Sequence, residues 1–150
     1  HMAYDKPGAV FKEGESGDRE IRPQDDQNLI DALTHADVVV TGPTSILLDS
    51  VFFNTPVIAV NYYPTERNFF ETVWRYTDNH ISEFLATGAA RYAKSKDAML
   101  AHIQGYLKDG TMDSEKRAYA RSIWFSHADG HAGERLARVL LDCLTLTANS

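Results

Sequence analysis

Cysteine, long apolar runs and positive charge are all scarce in this sequence of 150 residues. The single cysteine, Cys143, cannot form an internal disulfide, which fits a reducing compartment. No apolar run approaches the roughly 20 residues that a membrane-spanning helix needs, and no secretory signal is visible. Lys and Arg number 15 against 21 Asp and Glu, and this net charge of −6 argues against general binding to nucleic acid. The absences together predict a cytoplasmic protein that does not bind nucleic acid.

Three familiar motifs are missing as well. No lysine follows Ser45, which excludes a Walker loop there, and no Gly-x-Gly-x-x-Gly dinucleotide fingerprint occurs. No Gly-x-Ser-x-Gly elbow exists, so Ser45, Cys143 and the histidines assemble no nucleophile triad. A ligand site therefore has to be sought in the order of strands, turns and helices.

The composition is that of one ordinary globular domain, with 43% apolar and 24% charged residues. Residues 1–22 carry three glycine-centred breaks and predict an irregular segment with one short strand near residues 9–11. We interpret His1 and Met2 as the remnant of a tag, so we expect the chain to be a fragment of a longer protein. Regular patterning predicts a domain over residues 23–146, followed by a tail at 147–150.

A strand, a helix and a second strand follow one another near the middle of the sequence. The run DVVVT at 37–41 is β-branched, as expected for a strand buried on both faces. SILLDSVFF at 45–53 predicts a short helix, and VIAVN at 57–61 predicts another buried strand. The three form a parallel βαβ unit, and AARYA at 89–93 predicts a further short strand.

Amphipathic patterns predict helices over residues 25–36, 96–110, 112–125 and 131–146. Alternating strands and helices indicate the α/β class, as a Rossmann-like three-layer αβα domain with a mainly parallel sheet. Two or three strands are few for a complete doubly wound sheet, so we expect its opening units to be missing. The first helix is expected to turn Leu29, Ile30 and Leu33 inward. Cys143 lies on the apolar face of the last helix, which we interpret as core.

The turn at 41–45 is a candidate anion site. A parallel strand that enters a helix places its turn at the carboxyl edge of the sheet, where ligands of open α/β sheets bind. Gly42 allows close approach to the backbone, and Thr44 and Ser45 offer hydroxyls to phosphate oxygens. Asp49 follows one turn later, where its carboxylate can accept hydrogen bonds from sugar hydroxyls. The alternative is an ordinary connection, in which Ser and Thr only cap the helix and Asp49 faces water.

Three other features of the sequence have more than one interpretation. Arg67 suits a bidentate phosphate contact, or a surface salt bridge. His127, Asp129 and His131 could ligate a metal in an extended segment, bind a phosphate or base, or cap a helix. An aromatic group either stacks on a nucleobase or belongs to the core. Its members are Tyr62, Tyr63, Phe69, Phe70 and Trp74.

The order of these motifs resembles a known family. Residues 36–60, ADVVVTGPTSILLDSVFFNTPVIAV, resemble the carboxyl-terminal half of GT-B glycosyltransferase-like proteins. The match is to the CDP-glycerol glycerophosphotransferase-like and capsule or teichoic-acid polymerase group. Residues 129–140, DGHAGERLARVL, resemble the segment that opens the final helix of that group, and residues 87–109 resemble the stretch between.

The resemblance implies a two-lobed enzyme of cell-surface polysaccharide or wall polymer synthesis. Its carboxyl-terminal lobe would bind a nucleotide-sugar or CDP-polyol donor, with Thr44 and Ser45 on the diphosphate. Asp49 would contact the sugar or a backbone amide, and Asp129 and Gly130 would lie near the donor. Gly42 and Arg67 complete the expected nucleotide-binding set. No metal or cofactor is implied.

The acceptor site and catalytic base of this group usually belong to an amino-terminal lobe, which these residues lack. We therefore expect the chain alone to bind weakly and turn over nothing, and the full protein to associate peripherally with the inner face of the membrane. Two alternatives stay open at this point. One is a sugar-nucleotide 2-epimerase-like domain, and the other is a non-catalytic nucleotide-binding or scaffold domain.

Overall fold

The computed structural model describes residues 7–10, 19–65 and 74–148. Their elements, in chain order, are β1 (Ala9–Val10), β2 (Arg19–Glu20), α1 (Pro23–His35), β3 (Val39–Thr41), α2 (Ile46–Phe52), β4 (Val57–Val60), a 3₁₀ turn (Trp74–Thr77), α3 (Asn79–Ala86), β5 (Ala90–Ala93), α4 (Lys96–Lys108), α5 (Ser114–Trp124) and α6 (Ala132–Ala148).

A parallel sheet in the order β3-β4-β5 forms the centre of the fold. Its residues alternate between two apolar clusters, one on each face. Val57 and Ala59 of β4 join the cluster that α2 and α3 build on one face. Ile58 joins a second cluster with Tyr106 of α4 on the other face. This arrangement of helices on both faces of a parallel sheet confirms the predicted Rossmann-like α/β class.

The amino-terminal segment contains a pair of strands where one was expected. β1 pairs antiparallel with β2, and Ala9 lies opposite Glu20. A ladder of two residues on each strand is too short to show a period in the sequence. The second strand was therefore not predicted.

Two predictions of burial were wrong in part. Val40 of β3 is 42% exposed, because β3 is an outer strand of the described sheet and α4 packs on β4 and β5. In α1 only Leu33 is buried, whereas Leu29 and Ile30 are 40% and 41% exposed. The apolar pattern marks the inward side of an element but not how much of that side its neighbours cover.

The interpretation of Cys143 as a core residue was also wrong. Cys143 is exposed, and so is every other described side chain of α6 apart from that of Arg135. No helix or strand within the described ranges buries the apolar face of α6. An amphipathic period identifies that face but carries no information about its partner.

A buried arginine fixes α5 against the end of α2. Arg117 is only 1% exposed, and its Nε donates to Asn54 Oδ1 at 3.1 Å. The two terminal nitrogens donate to the carbonyls of Met112 and Gly110. Asn54 follows α2 just before β4 begins, so α5 lies at the edge of the sheet where the strands start. Sites at the carboxyl ends of the strands lie on the other side of the domain.

Candidate functional site at the carboxyl edge of the sheet

The three parallel strands end side by side. Thr41 of β3 is in register with Ala59 of β4, and Ala59 is in register with Tyr92 of β5. Neighbouring strands lie about 4.8 Å apart, so this row spans about 10 Å. Ala59 is fully buried in the cluster that also contacts Tyr92, so a ligand can reach only the residues that follow the row. The row forms the floor of the candidate site.

The turn after β3 presents polar groups to solvent. Thr44 and Ser45 are exposed, and the Thr44 hydroxyl lies 3.2 Å from that of Thr41. The Ser45 side chain makes no capping hydrogen bond to α2. The amides of Ser45 and Ile46 donate to no acceptor in the described part of the chain. These hydroxyl and amide donors suit an anionic ligand.

Gly42 lies in open space. A Cβ atom built on it would have no atom of the described chain within 4 Å. Crowding within the protein therefore does not explain a glycine at this position. The gap leaves room for a ligand to approach the backbone, and a role for Gly42 in binding stays a prediction.

Asp49 lies one turn beyond Ser45 and is partly buried. Burial raises the pKa of its carboxyl group, since desolvation disfavours the charged form. Neither a salt bridge nor a side-chain hydrogen bond joins Asp49 to the other described residues. A partly buried carboxylate without a protein donor can accept hydrogen bonds from the hydroxyls of a ligand.

The second predicted segment is held by contacts of its own. Both carboxylate oxygens of Asp129 accept from Arg135 Nη1, at 2.9 and 2.8 Å, and Oδ1 also accepts from the His131 amide. The His131 amide and then Arg135 lower the pKa of Asp129. Gly130 has a φ of +79°, which favours glycine. Asp129 and Gly130 thus shape the start of α6.

The two predicted segments lie at different ends of α2. Ala128, beside Asp129, lines a groove of about 410 Å³ together with Phe52 and Phe125. Phe52 ends α2, whereas Thr44 and Ser45 precede it, and a helix of seven residues is about 10 Å long. The structure does not bring Asp129 to the turn at Gly42. A role for Asp129 and Gly130 in donor binding stays a prediction.

Three residues at the carboxyl edge were not predicted as site residues. Asn61 follows β4, and its side-chain amide donates to the hydroxyl of Tyr92. Lys94 follows β5, and its Nζ lies 5.7 Å from the centre of the Tyr92 ring. Polar residues that directly follow apolar strands were the available signal.

The structure describes only some of the remaining predicted residues, which are Arg67 and the aromatic group. Arg67, Phe69 and Phe70 lie outside the described residues. The Tyr62 hydroxyl donates to Met99 Sδ at 3.6 Å, so Tyr62 packs against α4, which favours the core interpretation for this ring. Among the described residues, no group of three His, Cys, Asp or Glu side chains converges in a way that could hold a metal ion.

A comparison with protein families gives one match. The family described as CDP-glycerol:poly(glycerophosphate) glycerophosphotransferase matches residues 2–142 of the chain. No curated protein and no solved structure matches it significantly. Across the ranges that the structure describes, no helix is both long and apolar enough to cross a membrane.

Proposed function

We propose, since this chain belongs to the CDP-glycerol:poly(glycerophosphate) glycerophosphotransferase family, that it is the domain that binds the CDP-glycerol donor. The family transfers glycerol phosphate to a growing wall polymer, and CDP-glycerol is its activated donor. Family membership favours this transferase over the epimerase-like alternative. The proposal assigns the domain to the carboxyl-terminal half of a GT-B-type enzyme in the cytoplasm.

The observation that carries the proposal is the set of hydroxyl and amide donors in the turn at the carboxyl edge. The amides of Ser45 and Ile46 and the exposed hydroxyls of Thr44 and Ser45 face the same turn. We assign the donor's diphosphate to this turn, beside Gly42. Backbone and hydroxyl donors stabilise phosphate oxygens without a metal ion.

Asp49 is assigned to the hydroxyls of the donor. Its carboxylate lies one turn from the diphosphate position and has no protein donor among the described residues. Ribose hydroxyls would supply the missing hydrogen bonds. A carboxylate that binds a hydroxyl discriminates against a ligand that lacks it, because the partly buried acceptor then loses its hydrogen bond.

Positioning and charge stabilisation are the chemistry that such a site can supply. In the family's reaction an acceptor hydroxyl loses its proton and its oxygen bonds to the phosphorus that carries glycerol. The bond from that phosphorus to the oxygen of CMP breaks, and CMP leaves with the negative charge. Donors fixed around the diphosphate hold the phosphorus in line and stabilise this charge.

Titration with CDP-glycerol, followed by the amide NMR signals of the protein, tests the assignment. We expect shifts at residues 41–49 and at the residues that end β4 and β5. Asp49→Asn should weaken CDP binding about tenfold while changing dCDP binding little. Glu115→Gln, an exposed change near the opposite edge, is the matched control. Shifts confined to residues 126–134, or equal losses for CDP and dCDP, would contradict the site.

A further inference from the structure

Lys94 lies at the carboxyl edge of the sheet, after the outer strand β5. The Gly42 turn follows the opposite outer strand, β3. Lys94 follows the last residue of β5 and is exposed. Its Nζ sits over the ring of Tyr92, 5.7 Å from the ring centre. An ammonium group at this distance is attracted to the face of an aromatic ring. The contact restricts where the flexible lysine side chain places its charge.

Tyr92 itself is held from two sides. Its hydroxyl accepts from the side-chain amide of Asn61, which follows β4. Its ring packs edge-to-face on Tyr76, with 5.0 Å between the ring centres. The Tyr76 hydroxyl in turn donates to the Val60 carbonyl at 2.7 Å. Burial raises the pKa of Tyr76, so its hydroxyl stays protonated and keeps donating at neutral pH. The Tyr92 ring that Lys94 contacts is therefore held in place by Asn61 and Tyr76.

No carboxylate within the described ranges forms a salt bridge with Lys94. Among the described residues, Arg91 and Lys116 pair with Asp113, and Arg135 pairs with Asp129. Lys94 is well suited to bind an anion that enters there.

The register of the sheet brings this cation toward the Gly42 turn. Tyr92 and Thr41 are the two ends of the row whose middle member is Ala59. Pro43 and Lys94 each lie two residues beyond an end of this row, about 10 Å apart across β4, and the four-carbon stem of lysine can cover part of that distance. A ligand bound at the turn would lie between hydroxyls on one side and the ammonium group on the other.

We propose that Lys94 is a direct contact for the diphosphate of the donor, opposite Thr44 and Ser45. This inference rests on the proposed function, because it names a further residue of the same site. The diphosphate of a nucleoside diphosphate carries more charge than the phosphate of a monophosphate. Lys94 therefore discriminates in favour of the diphosphate.

The test compares the binding of CDP, CMP and cytidine by calorimetry. Lys94→Ala is expected to weaken CDP binding about tenfold, since a charge-assisted hydrogen bond is lost. It should weaken CMP binding less and leave cytidine binding unchanged. Lys94→Arg keeps the charge and should retain most of the affinity for CDP. Lys94 precedes the start of α4, whereas Lys108 is the last residue of that helix. Lys108→Ala, which removes a charge of the same sign there, should bind CDP like the wild type.

Each outcome has a separate meaning. If the wild type binds CDP and Lys94→Ala binds it equally well, the role of Lys94 is overturned while the proposed function stands. If Lys94→Ala loses CDP and cytidine in equal proportion, the residue acts only on local structure, and the inference is again overturned. If the wild type binds neither CDP nor CDP-glycerol, the proposed function fails, and the role of Lys94 with it. Thermal unfolding of both alanine variants verifies that they are folded.

Discussion

Asp113 joins three side chains in the turn between α4 and α5. Its Oδ2 accepts from Arg91 Nε at 2.7 Å and from the Tyr106 hydroxyl at 3.1 Å, and its Oδ1 accepts from Lys116 Nζ at 2.9 Å. Burial by itself raises the pKa of Asp113, but these hydrogen bonds outweigh it and lower the pKa to about 2. One carboxylate thus connects β5, α4 and α5.

Asp113→Asn is expected to lower the free energy of unfolding by about 2 kcal/mol at pH 7. Asparagine tolerates the positive φ of this position as well as aspartate does, so the change removes mainly the charge. The folded pKa of about 2 lies below the ordinary value of 3.8. The contribution of the carboxylate is therefore complete above about pH 4, about half lost by pH 3 and absent below about pH 2.

Urea unfolding of both proteins at pH 7 and at steps down to pH 3 measures this difference. The difference in unfolding free energy should narrow as the pH falls. Glu115→Gln, two residues along the chain and exposed, should show little difference at any pH. A gap between wild type and Asp113→Asn that stays constant from pH 7 to pH 3 would show that the charge of Asp113 does not stabilise the fold.

At the scale of elements, the turn from α3 into β5 depends on a glycine. Gly88 has a φ of +72°, a conformation that side chains disfavour. A Cβ atom there would lie 3.0 Å from Cδ of Lys116, whose ammonium group binds Asp113. The turn therefore needs the backbone freedom of glycine, and a Cβ atom there would also push the Lys116 side chain aside.

Gly88→Ala should destabilise the protein by about 1 kcal/mol or more, from backbone strain and from the displaced Lys116. Gly133→Ala is the matched control, since Gly133 lies in the first turn of α6 and its Cβ would meet nothing within 4 Å. Alanine is a better helix former, so that variant should be as stable as the wild type or more so. Thermal unfolding midpoints of the two variants give the comparison. Equal midpoints would contradict this account of the turn.

At the scale of the whole molecule, burial is concentrated in the central strand. Val57, Ile58 and Ala59 of β4 are 0% exposed, and β4 pairs with a strand on each side. On α6, by contrast, Leu136, Val139 and Leu140 are each more than half exposed. Helices gain most of their stability from packing of an apolar face, so α6 is expected to be the less stable element.

Amide hydrogen exchange should reveal this gradient. The amides of β4 should exchange only through global unfolding, whereas those of α6 should exchange through local opening with much lower protection. NMR or mass spectrometry on the protein at several concentrations measures both. Protection of α6 equal to that of β4 at every concentration would show that its apolar face is covered after all.

Local sequence patterns predicted the elements of this fold well. Ser95, a residue type preferred at the start of a helix, caps α4, and its hydroxyl accepts from the Ala98 amide at 3.1 Å. The strand, turn and helix around Gly42 were also found where the pattern put them. Capping and strand patterns depend on neighbours within a few residues, so they can be read from the sequence alone.

The candidate site was predicted only in part, for a physical reason. The Gly42 turn and Asp49 are near each other in the sequence, so one helical turn relates them. Asn61, Tyr92 and Lys94 meet only because β4 and β5 pair in parallel with one particular register. Asp129 was expected beside the donor, but the structure places its loop near the other end of α2.

The sequence by itself determined the class of the domain, the positions of most of its helices and strands, and the polar turn that ends β3. These follow from periodicity and capping, which are local. Only the tertiary structure decided that Val40 and the apolar face of α6 are exposed, and that Lys94 lies over Tyr92 across the sheet from Thr41. Coverage and register are contacts between distant segments, and no pattern within one segment specifies them.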